Sequence, residues 1–373
     1  MTTQPTRIGI VGCGSVMRGP YTRQIKYMQT SGMAVQVTRA SDIMADRAAI
    51  ARDRFGDIPF STDYRSVVEA ADVDLVLVLT AMPAHGLIAR AALEAGKHVL
   101  VEKPMAITLE QGAQLVELAK RSPGYLHPAP HVVLSPTYKA IWQRIHRGEI
   151  GQILQARAFY GWNGPSWGKW FYEQGGGPMF DLGVYNVTSL TGLLGPAKRV
   201  TAMTATARPE RIVDNEPIEV DIPDSAHVLI EFAGGVLAVV STGFTYQRYR
   251  VPAIEIYGSE GTIQMLGDDW DPNGYELWKN DIGAWQIHAE ENPDWPWTDG
   301  LRHLVESIQS GTPPIITPEH GYHVLEIMIK AEQAGADGKA RTIESTFTPP
   351  TFLDAGERIP AHLIHDRTGG RTD

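Results

Sequence analysis

Short apolar runs that alternate with helix-like segments over the first 130 residues constrain the fold of this chain more than any other feature. The runs are largely uncharged and rich in β-branched residues or leucine, as in strands that are covered on both faces. They lie at Ile8–Val11, Val35–Ala40, Leu75–Leu79 and His98–Val101, and the helix-like segments at Asp46–Phe55, Tyr64–Ala70 and Gly86–Ala95. This alternation predicts βαβ units, and therefore an α/β domain with a parallel sheet over residues 1–130.

The pattern changes after Gly151 to strand, turn and strand. Further strand-like runs lie at Ile153–Tyr160, Arg199–Ala205, His227–Phe232, Val236–Phe244, Ala253–Tyr257 and Thr262–Leu266. The turns Ala233–Gly235 and Gly258–Gly261 carry the glycines that tight hairpins need for positive φ. We expect a second, α+β domain over residues 131–345 with a mostly antiparallel sheet, followed by a C-terminal tail over 346–373.

A helix over residues 178–194 interrupts these strands, and both of its ends are marked. Pro178 suits a first-turn position, and Gly195 with Pro196 forms a C-terminal stop. Two more helices are expected over 298–310 and 319–334.

Composition limits the partners of the chain. Its 373 residues include 33 Lys+Arg against 43 Asp+Glu, a net charge of -10 that gives no general attraction for nucleic acid or an anionic membrane. The apolar runs are too short for a membrane span, and we find no secretory leader. The single cysteine, Cys13, excludes an intramolecular disulfide and a Cys-rich metal site. We therefore expect a cytoplasmic protein.

The first strand runs directly into a glycine loop, Gly12-Cys13-Gly14, that opens a helical segment. Backbone N–H groups of this loop, continuing through Ser15 and Val16, can approach a pyrophosphate at the helix N-terminus. This context predicts a Rossmann dinucleotide-binding domain. The third position of the G-x-G-x-x-G pattern is Met17 instead of a small residue, and a plain tight turn is the alternative.

Asp42 stands at the end of the second strand, where a carboxylate can accept hydrogen bonds from both ribose hydroxyls of an adenosine. The same charge would repel a 2′-phosphate, so Asp42 favours NAD over NADP. The nearby Arg39 and Arg47 leave NADP as the less favoured coenzyme. The alternative role for Asp42 is a helix N-cap.

Two further motifs connect these features. Glu102-Lys103-Pro104 follows the fourth strand, and the segment Gly175–Tyr185 (GGGPMFDLGVY) opens the marked helix. Together with the glycine loop, Thr80–His85 and Ile254–Gly261, they resemble the Gfo/Idh/MocA family of NAD(P)-dependent oxidoreductases over about residues 7–334. Tyr185 in place of the commoner His resembles the glucose-fructose oxidoreductase and dihydrodiol dehydrogenase branches.

The resemblance implies a Rossmann domain followed by an open-faced sheet that often builds homodimers or homotetramers. It implies that Lys103 and Tyr185 meet over the nicotinamide as catalytic residues with Asp181, and that Thr80, His85, Glu102 and Lys103 border the cofactor. Asp181 and Tyr185, four residues apart on one helix, are expected on the same face. There Asp181 would bind a neighbouring substrate hydroxyl.

A phenol with a pKa of ~10 is a weak base near neutral pH, so Tyr185 needs a nearby positive charge. A Lys103 ammonium ~4 Å away at an effective dielectric of ~20 is worth ~3 pK units. We therefore expect the two groups to titrate as a coupled pair.

Aromatic residues crowd the segment from Tyr160 to Tyr172. Trp167 and Trp170 are the candidates to stack on a sugar ring, and packing beneath a long loop is the alternative. His320 and His323 have a metal-like spacing but no evident third ligand, so no metal is expected. Residues 290–299, acidic and rich in Trp and Pro, suggest a lid or a solvated loop.

The favoured function is an NAD-dependent dehydrogenase or reductase of a sugar or related polyhydroxylated molecule. One alternative is a redox glycosidase, in which tightly held NAD transiently oxidises a ring carbon so that a glycosidic bond is cleaved. The other is a non-catalytic dinucleotide-binding regulator.

Overall fold

The computed structural model of the chain describes residues 4–289 and 295–353, and its contacts group them into two units. The first unit comprises the described residues up to His131 together with Pro296–Tyr322, and the second comprises the rest. The domain boundaries expected at residues 130 and 345 stay a prediction, to which the contacts add that residues 296–322 pack with the first unit.

The first unit is built on a six-stranded parallel sheet. Its strands are β1 (Thr6–Val11), β2 (Val35–Ser41), β3 (Phe60–Ser61), β4 (Leu75–Val78), β5 (His98–Val101) and β6 (Leu126–Pro128). They lie in the order β3-β2-β1-β4-β5-β6, which is that of a dinucleotide-binding Rossmann sheet. The prediction of a parallel α/β domain is confirmed.

The second unit contains a nine-stranded sheet in the order β16-β15-β14-β13-β7-β12-β11-β8-β17, and a separate hairpin of β9 and β10. The strands are β7 (Ile153–Gly161), β8 (Ala197–Ala205), β9 (Glu210–Val213), β10 (Glu216–Glu219), β11 (Ser225–Phe232), β12 (Leu237–Gly243), β13 (Ile254–Gly258), β14 (Gly261–Asp268), β15 (Asp271–Lys279), β16 (Ala284–His288) and β17 (Arg341–Thr342). Among these described strands only β7 and β12 pair in parallel, so the prediction of a mostly antiparallel sheet is confirmed. Both predicted hairpins, β11–β12 and β13–β14, are present.

The α-helices are α1 (Thr22–Thr30), α2 (Arg47–Phe55), α3 (Arg65–Val68), α4 (His85–Glu94), α5 (Leu109–Ala119), α6 (Pro136–His146), α7 (Val184–Leu194), α8 (Gly300–Ser310) and α9 (Pro318–Asp337). Short 3₁₀ turns lie at Met82–Ala84, Val132–Leu134 and Lys169–Tyr172, and π-helical turns at Met17–Tyr21 and Met179–Gly183. The π turns precede α1 and α7 directly. Sequence patterning predicted neither of them.

The core of the first unit explains why α8 belongs to it. Leu301, Leu304 and Val305 recur at helical spacing, are fully buried, and share one hydrophobic cluster with Ile8 of β1 and Ile25 of α1. The apolar stripe of α8 therefore covers the same sheet that α1 covers.

The carboxyl ends of β1 and β4 lie side by side at the point where the strand order reverses. In open parallel sheets this edge is where loops form a ligand crevice. The loops after β1, β2, β4 and β5 carry most of the cofactor residues predicted from the sequence.

Within residues 4–289 and 295–353, no helix combines the length and apolarity needed to cross a bilayer. In the same ranges no group of His, Cys, Asp and Glu is arranged to hold a metal ion. Residues 290–294 of the predicted lid or loop, and residues 354–373 of the predicted tail, lie outside the described residues.

Candidate active site

The loop after β1 has the shape of a phosphate-binding turn. Gly12 has φ +99°, and a Cβ there would lie 2.6 Å from the backbone C and O of Leu79, so only glycine fits. A Cβ at Gly14 would meet no other atom within 4 Å, because that side of the loop is open. Ser15 is exposed and Val16 half-buried before the first π turn. Bare backbone and free space at a helix start are what a pyrophosphate requires.

Asp42 connects this loop to the end of β2 through a hydrogen bond. Its Oδ2 accepts a hydrogen bond from the Cys13 N–H at 2.7 Å, and its Oδ1 accepts one from the Met44 N–H at 2.9 Å. The carboxylate is half-buried and each oxygen keeps a second lone pair. Asp42 can therefore organise the loop and still accept hydrogen bonds from ribose hydroxyls.

Lys103 lies between two fixed neighbours in the loop after β5. Buried Glu102 accepts hydrogen bonds from the Tyr21 hydroxyl at 2.8 Å and from the Lys103 backbone N–H at 3.1 Å. On the other side, the Pro104 carbonyl oxygen lies 2.8 Å from His85 Nδ1. The backbone of Lys103 is thereby held from both directions, while its side chain is only half-buried.

His85 joins the loops after β4 and β5. Its Nε2 lies 2.9 Å from the Thr80 carbonyl oxygen, opposite the contact to Pro104. Burial lowers the pKa of His85, and the contacts with the Pro104 and Thr80 carbonyl oxygens oppose that fall. Thr80, His85 and Glu102, predicted to border a cofactor, thus form the frame that positions Lys103.

In the second unit, Asp181 and Tyr185 lie at the start of the helical segment that the glycine run opens. Asp181 is buried in the π turn Met179–Gly183, and half-buried Tyr185 lies in the first turn of α7. The helix expected over 178–194 begins as a π turn and continues as α7, and the expectation that Asp181 and Tyr185 lie on the same face stays a prediction. A π turn is wider than an α turn, so a spacing of four residues is less than a full turn there.

Tyr160, at the end of β7, packs beside Tyr185. Their ring centroids are 6.0 Å apart with an interplanar angle of 69°. Burial raises the pKa of the Tyr160 phenol, and the neighbouring Tyr185, Asp268 and Asp181 act in the same direction. Tyr160 is therefore a neutral hydrogen-bonding group beside the proposed acid–base residue, a role that its position among other aromatics in the sequence did not reveal.

The aromatic segment divides into a packed part and an accessible part. Trp167 is 50% exposed and lies 5.8 Å from Trp162, measured between ring centroids. Trp170 stacks on Phe171 at 3.7 Å and is half-buried. Trp167 is thus free to stack on a ligand, whereas part of the Trp170 ring is already covered.

The β9–β10 hairpin holds this segment in place. Buried Arg211 donates hydrogen bonds to Asp224 at 2.8 Å and to the carbonyl oxygen of Asn163 at 2.8 Å. At the hairpin turn, Asp214 Oδ2 accepts the Gly168 N–H at 2.9 Å. Sequence analysis identified neither the hairpin nor the ion pair, because both depend on contacts between distant segments.

The second unit contains a cavity of about 690 Å³ at the end of β7. Tyr160 and Trp162 contribute aromatic surface to its wall, and Arg248, Arg250 and Asp268 contribute charge. Aromatic faces combined with polar groups suit a polyhydroxylated molecule.

Family models match both halves of the chain. Residues 6–129 match a model described as "Oxidoreductase family, NAD-binding Rossmann fold", and residues 138–264 match the "GFO/IDH/MocA C-terminal domain". The chain belongs to the GFO/IDH/MocA oxidoreductase family. The predicted resemblance, the two-part fold and the assignment as an NAD-dependent oxidoreductase are confirmed.

Members of this family with curated names align with nearly the whole chain. A dTDP-3,4-didehydro-2,6-dideoxy-alpha-D-glucose 3-reductase from Saccharopolyspora spinosa is 30% identical and covers 92% of this chain and 99% of its own. A 1,5-anhydro-D-fructose reductase from Ensifer adhaerens is 27% identical, covering 91% and 99%. A solved levoglucosan dehydrogenase, in complex with NADH and levoglucosan, matches with a TM-score of 0.81 at 22% identity, covering 91% of this chain and all (100%) of that one.

Proposed function

We propose that this protein oxidises or reduces a sugar, or a related polyhydroxylated molecule, at a secondary hydroxyl or carbonyl with NAD as the coenzyme. The sugar reductases and the levoglucosan dehydrogenase among its relatives support this substrate class. The redox glycosidase and the non-catalytic regulator are not favoured, because these relatives are named as reductases and dehydrogenases.

The described residues fit the coenzyme. The open side of Gly14, with Ser15 and Val16, would receive the pyrophosphate, and the free lone pairs of Asp42 would receive the adenosine ribose. The bound coenzyme supplies hydride exchange at its nicotinamide. Asp42 also supports NAD over NADP, since its carboxylate would repel a 2′-phosphate.

Lys103 and Tyr185 are assigned to the proton that leaves or returns to the substrate hydroxyl. Tyr185 holds that proton at its phenolic oxygen, and the Lys103 ammonium stabilises the phenolate. Asp181 accepts a hydrogen bond from a neighbouring substrate hydroxyl. Trp167 stacks on the sugar ring, and Trp170 borders it.

The proposal rests mainly on the contacts that hold the backbone around Lys103. Glu102 and His85 are buried, and their contacts hold the backbone on both sides of Lys103, which is itself half-buried. A surface turn has no need of such a frame, whereas a catalytic cation must be oriented.

We also propose a homo-oligomer, either a dimer or a tetramer, built on the sheet of the second unit. Met203, Leu229 and Leu237 lie on one face of neighbouring strands and are 81%, 54% and 56% exposed. An apolar face of this kind is typical of a subunit interface. Sedimentation of wild type against Leu229→Lys tests it, and a wild-type monomer contradicts it.

The single cysteine supports a cytoplasmic location, which we retain as a proposal. Fractionation of cells that express the protein would test it.

A panel of free sugars, glycosides and lactones with NAD and with NADP, monitored by nicotinamide absorbance, tests the activity. NADH that accumulates in step with loss of a sugar supports the dehydrogenase. Sugar release from a glycoside without NADH accumulation would identify the glycosidase instead. A clear preference for NADP would contradict the role of Asp42.

A further inference from the structure

A carboxylic acid outside the proposed chemistry is buried behind the helix that carries Tyr185. Asp269 lies between β14 and β15 and is 1% exposed. Its partner, Asn186, follows Tyr185 in the first turn of α7 and is 0% exposed. The contact therefore ties a hairpin of the sheet to the turn that bears the proposed acid–base residue.

The side chains of Asn186 and Asp269 share one hydrogen bond, and the second side-chain oxygen of each residue has no donor among the described residues. Asn186 Nδ2 donates to Asp269 Oδ2 at 2.9 Å, and the Ser189 hydroxyl lies 3.5 Å from the same oxygen. The other two oxygens, Asn186 Oδ1 and Asp269 Oδ1, are buried and have no hydrogen-bond partner in the part of the chain that the structure describes. Two acceptors without a donor are costly away from water.

A proton on Asp269 Oδ1 would turn one of these two acceptors into a donor. If Asp269 is protonated at Oδ1, its O–H can donate to Asn186 Oδ1 while Asn186 Nδ2 donates to Asp269 Oδ2. Two hydrogen bonds then join the carboxylic acid to the amide and close a ring, because each group has one donor and one acceptor in the same plane.

We propose that Asp269 is held as the neutral acid in this ring with Asn186 and serves as a positioning residue for the first turn of α7. The part of the proposal that concerns catalysis rests on the function proposed for Tyr185. The ring orients Asn186, and through the helix backbone it fixes the adjacent tyrosine.

The surroundings of Asp269 favour the neutral form. Burial raises its pKa to about 7, the charge of Asp268 adds to the rise, and the hydrogen bonds from Asn186 and Ser189 oppose it. Among the described residues, the phenols of Tyr160 and Tyr249 also interact with Asp269, and burial raises the pKa values of both.

Asp269→Asn tests the proton directly, because an amide has the shape of the neutral acid. In D269N the new side-chain NH₂ can donate to Asn186 Oδ1, so the two-bond ring persists at every pH. If Asp269 is instead ionised, or joined to Asn186 by a bridging water that donates to its carboxylate, D269N replaces a needed acceptor by a donor and loses stability.

The first measurement is the unfolding equilibrium constant of both proteins from pH 4 to pH 9. The folded pKa of about 7 lies above the unfolded value of ~3.9, so wild type loses stability relative to D269N as pH rises between them. The ratio of the two constants should change about tenfold per pH unit up to pH 7 and level off above it. A ratio independent of pH, or a D269N protein less stable than wild type at pH 7, overturns the proposal. The exposed Asp281→Asn serves as the matched control.

The second measurement is the infrared carbonyl band of a protonated carboxyl group. Wild type at pH 5 to 6 should show a band that is missing in D269N and present in D281N. Absence of a difference band overturns the proposal. Neither this measurement nor the unfolding ratio requires enzymatic turnover, so both remain decisive if the proposed function fails.

The third measurement separates positioning from simple stability. At a temperature where each variant is folded, Asp269→Leu should lower kcat about tenfold with KM for NAD unchanged, and D269N should restore kcat. Equal kcat in all three proteins would limit the ring to stability and overturn its positioning role. If D269L does not fold, Asn186→Leu replaces it, with the same expected loss.

Discussion

Burial shifts the pKa values of a histidine cluster in the first unit and of two acidic groups in the second unit, which also contains His323 with a lowered pKa. In the first unit, His127 stacks on His131 with ring centroids 4.8 Å apart, and the centroid of His303 lies 5.6 Å from that of His127. Burial lowers the pKa of His131 to about 4. In the second unit, burial raises the pKa of Asp269 to about 7 and that of Tyr160 as well. Burial favours the neutral form in both, so bases and acids shift in opposite directions.

The pH dependence of folding stability for the whole chain is therefore a sum of contributions with opposite signs. The first unit loses stability as the pH falls below the unfolded His value, because only the unfolded imidazole then binds a proton freely. Asp269 of the second unit loses its stabilising contribution as the pH rises from the unfolded Asp value to about 7, whereas His323 of the same unit acts in the same direction as the buried histidines of the first. The two slopes oppose each other between pH 4 and 7, and single variants are needed to separate them.

The largest expected effect comes from removing the one catalytic group that each unit is proposed to contribute. Lys103→Ala in the first unit and Tyr185→Phe in the second should each lower kcat/KM by roughly 10²–10⁴, the usual contribution of general acid–base catalysis. The double variant should be little worse than either, because groups that act together are not additive. Steady-state kinetics measure this, with exposed Lys26→Ala as the control. Turnover of Tyr185→Phe within about twofold of wild type would remove it as the acid–base residue.

The second prediction concerns how folding stability depends on pH. The folded pKa of His131, about 4, lies below the unfolded value of ~6.5, so its contribution is present above pH 6.5 and lost as the pH falls toward 4. The loss amounts to about 3 kcal/mol. His131→Asn should flatten the acid limb of the stability profile, and exposed His227→Asn should not. An unchanged acid limb in His131→Asn would contradict the assignment.

A smaller effect separates folding from coenzyme binding inside the first unit. Gly12→Ala should destabilise the protein by roughly 1–3 kcal/mol, since the methyl group meets the Leu79 backbone and φ is positive. Gly14→Ala should fold like wild type, because its methyl group enters open space, yet bind NAD roughly tenfold more weakly by the loss of about 1.4 kcal/mol. Calorimetry and NADH fluorescence titration measure the two quantities. Unchanged NAD affinity in Gly14→Ala would place the pyrophosphate elsewhere.

The smallest effect concerns the aromatic segment of the second unit. Trp167→Ala should raise the KM for the sugar roughly two- to tenfold with kcat almost unchanged, as expected for a stacking contact worth ~0.5–1.5 kcal/mol. Trp285→Ala removes a comparably exposed ring on β16 and is the control. Equal effects of the two substitutions would show that Trp167 is not a substrate contact.

Local patterns account for the parts of the fold that were predicted. Buried parallel strands are uniformly apolar and hairpins need glycine, so β1, β4 and the β13–β14 turn are readable from neighbouring residues alone. The π turn at Met17–Tyr21 is different. Pro20 within it has no N–H to donate, but the sequence alone does not tell whether a helix responds by ending, bending or widening.

The residues of the candidate site also fall into two groups, those that the sequence predicts and those that it does not. Lys103, Asp181 and Tyr185 are found by motif because they stand at recognisable places along the chain. Arg211, which fixes the aromatic segment, and Asp269, which contacts α7, resemble ordinary surface charges in sequence. Their burial depends on segments that are far away along the chain.

The class of fold, the glycine loop, the lysine and tyrosine motifs and the family were all predictable from the amino-acid sequence, because each depends on residue spacing within a short stretch. Tertiary structure decided which polar groups lose contact with water. It made His85 and Glu102 a frame for Lys103, and it made Asp269 a buried acid beside Asn186. Desolvation acts through space, so no local pattern encodes it.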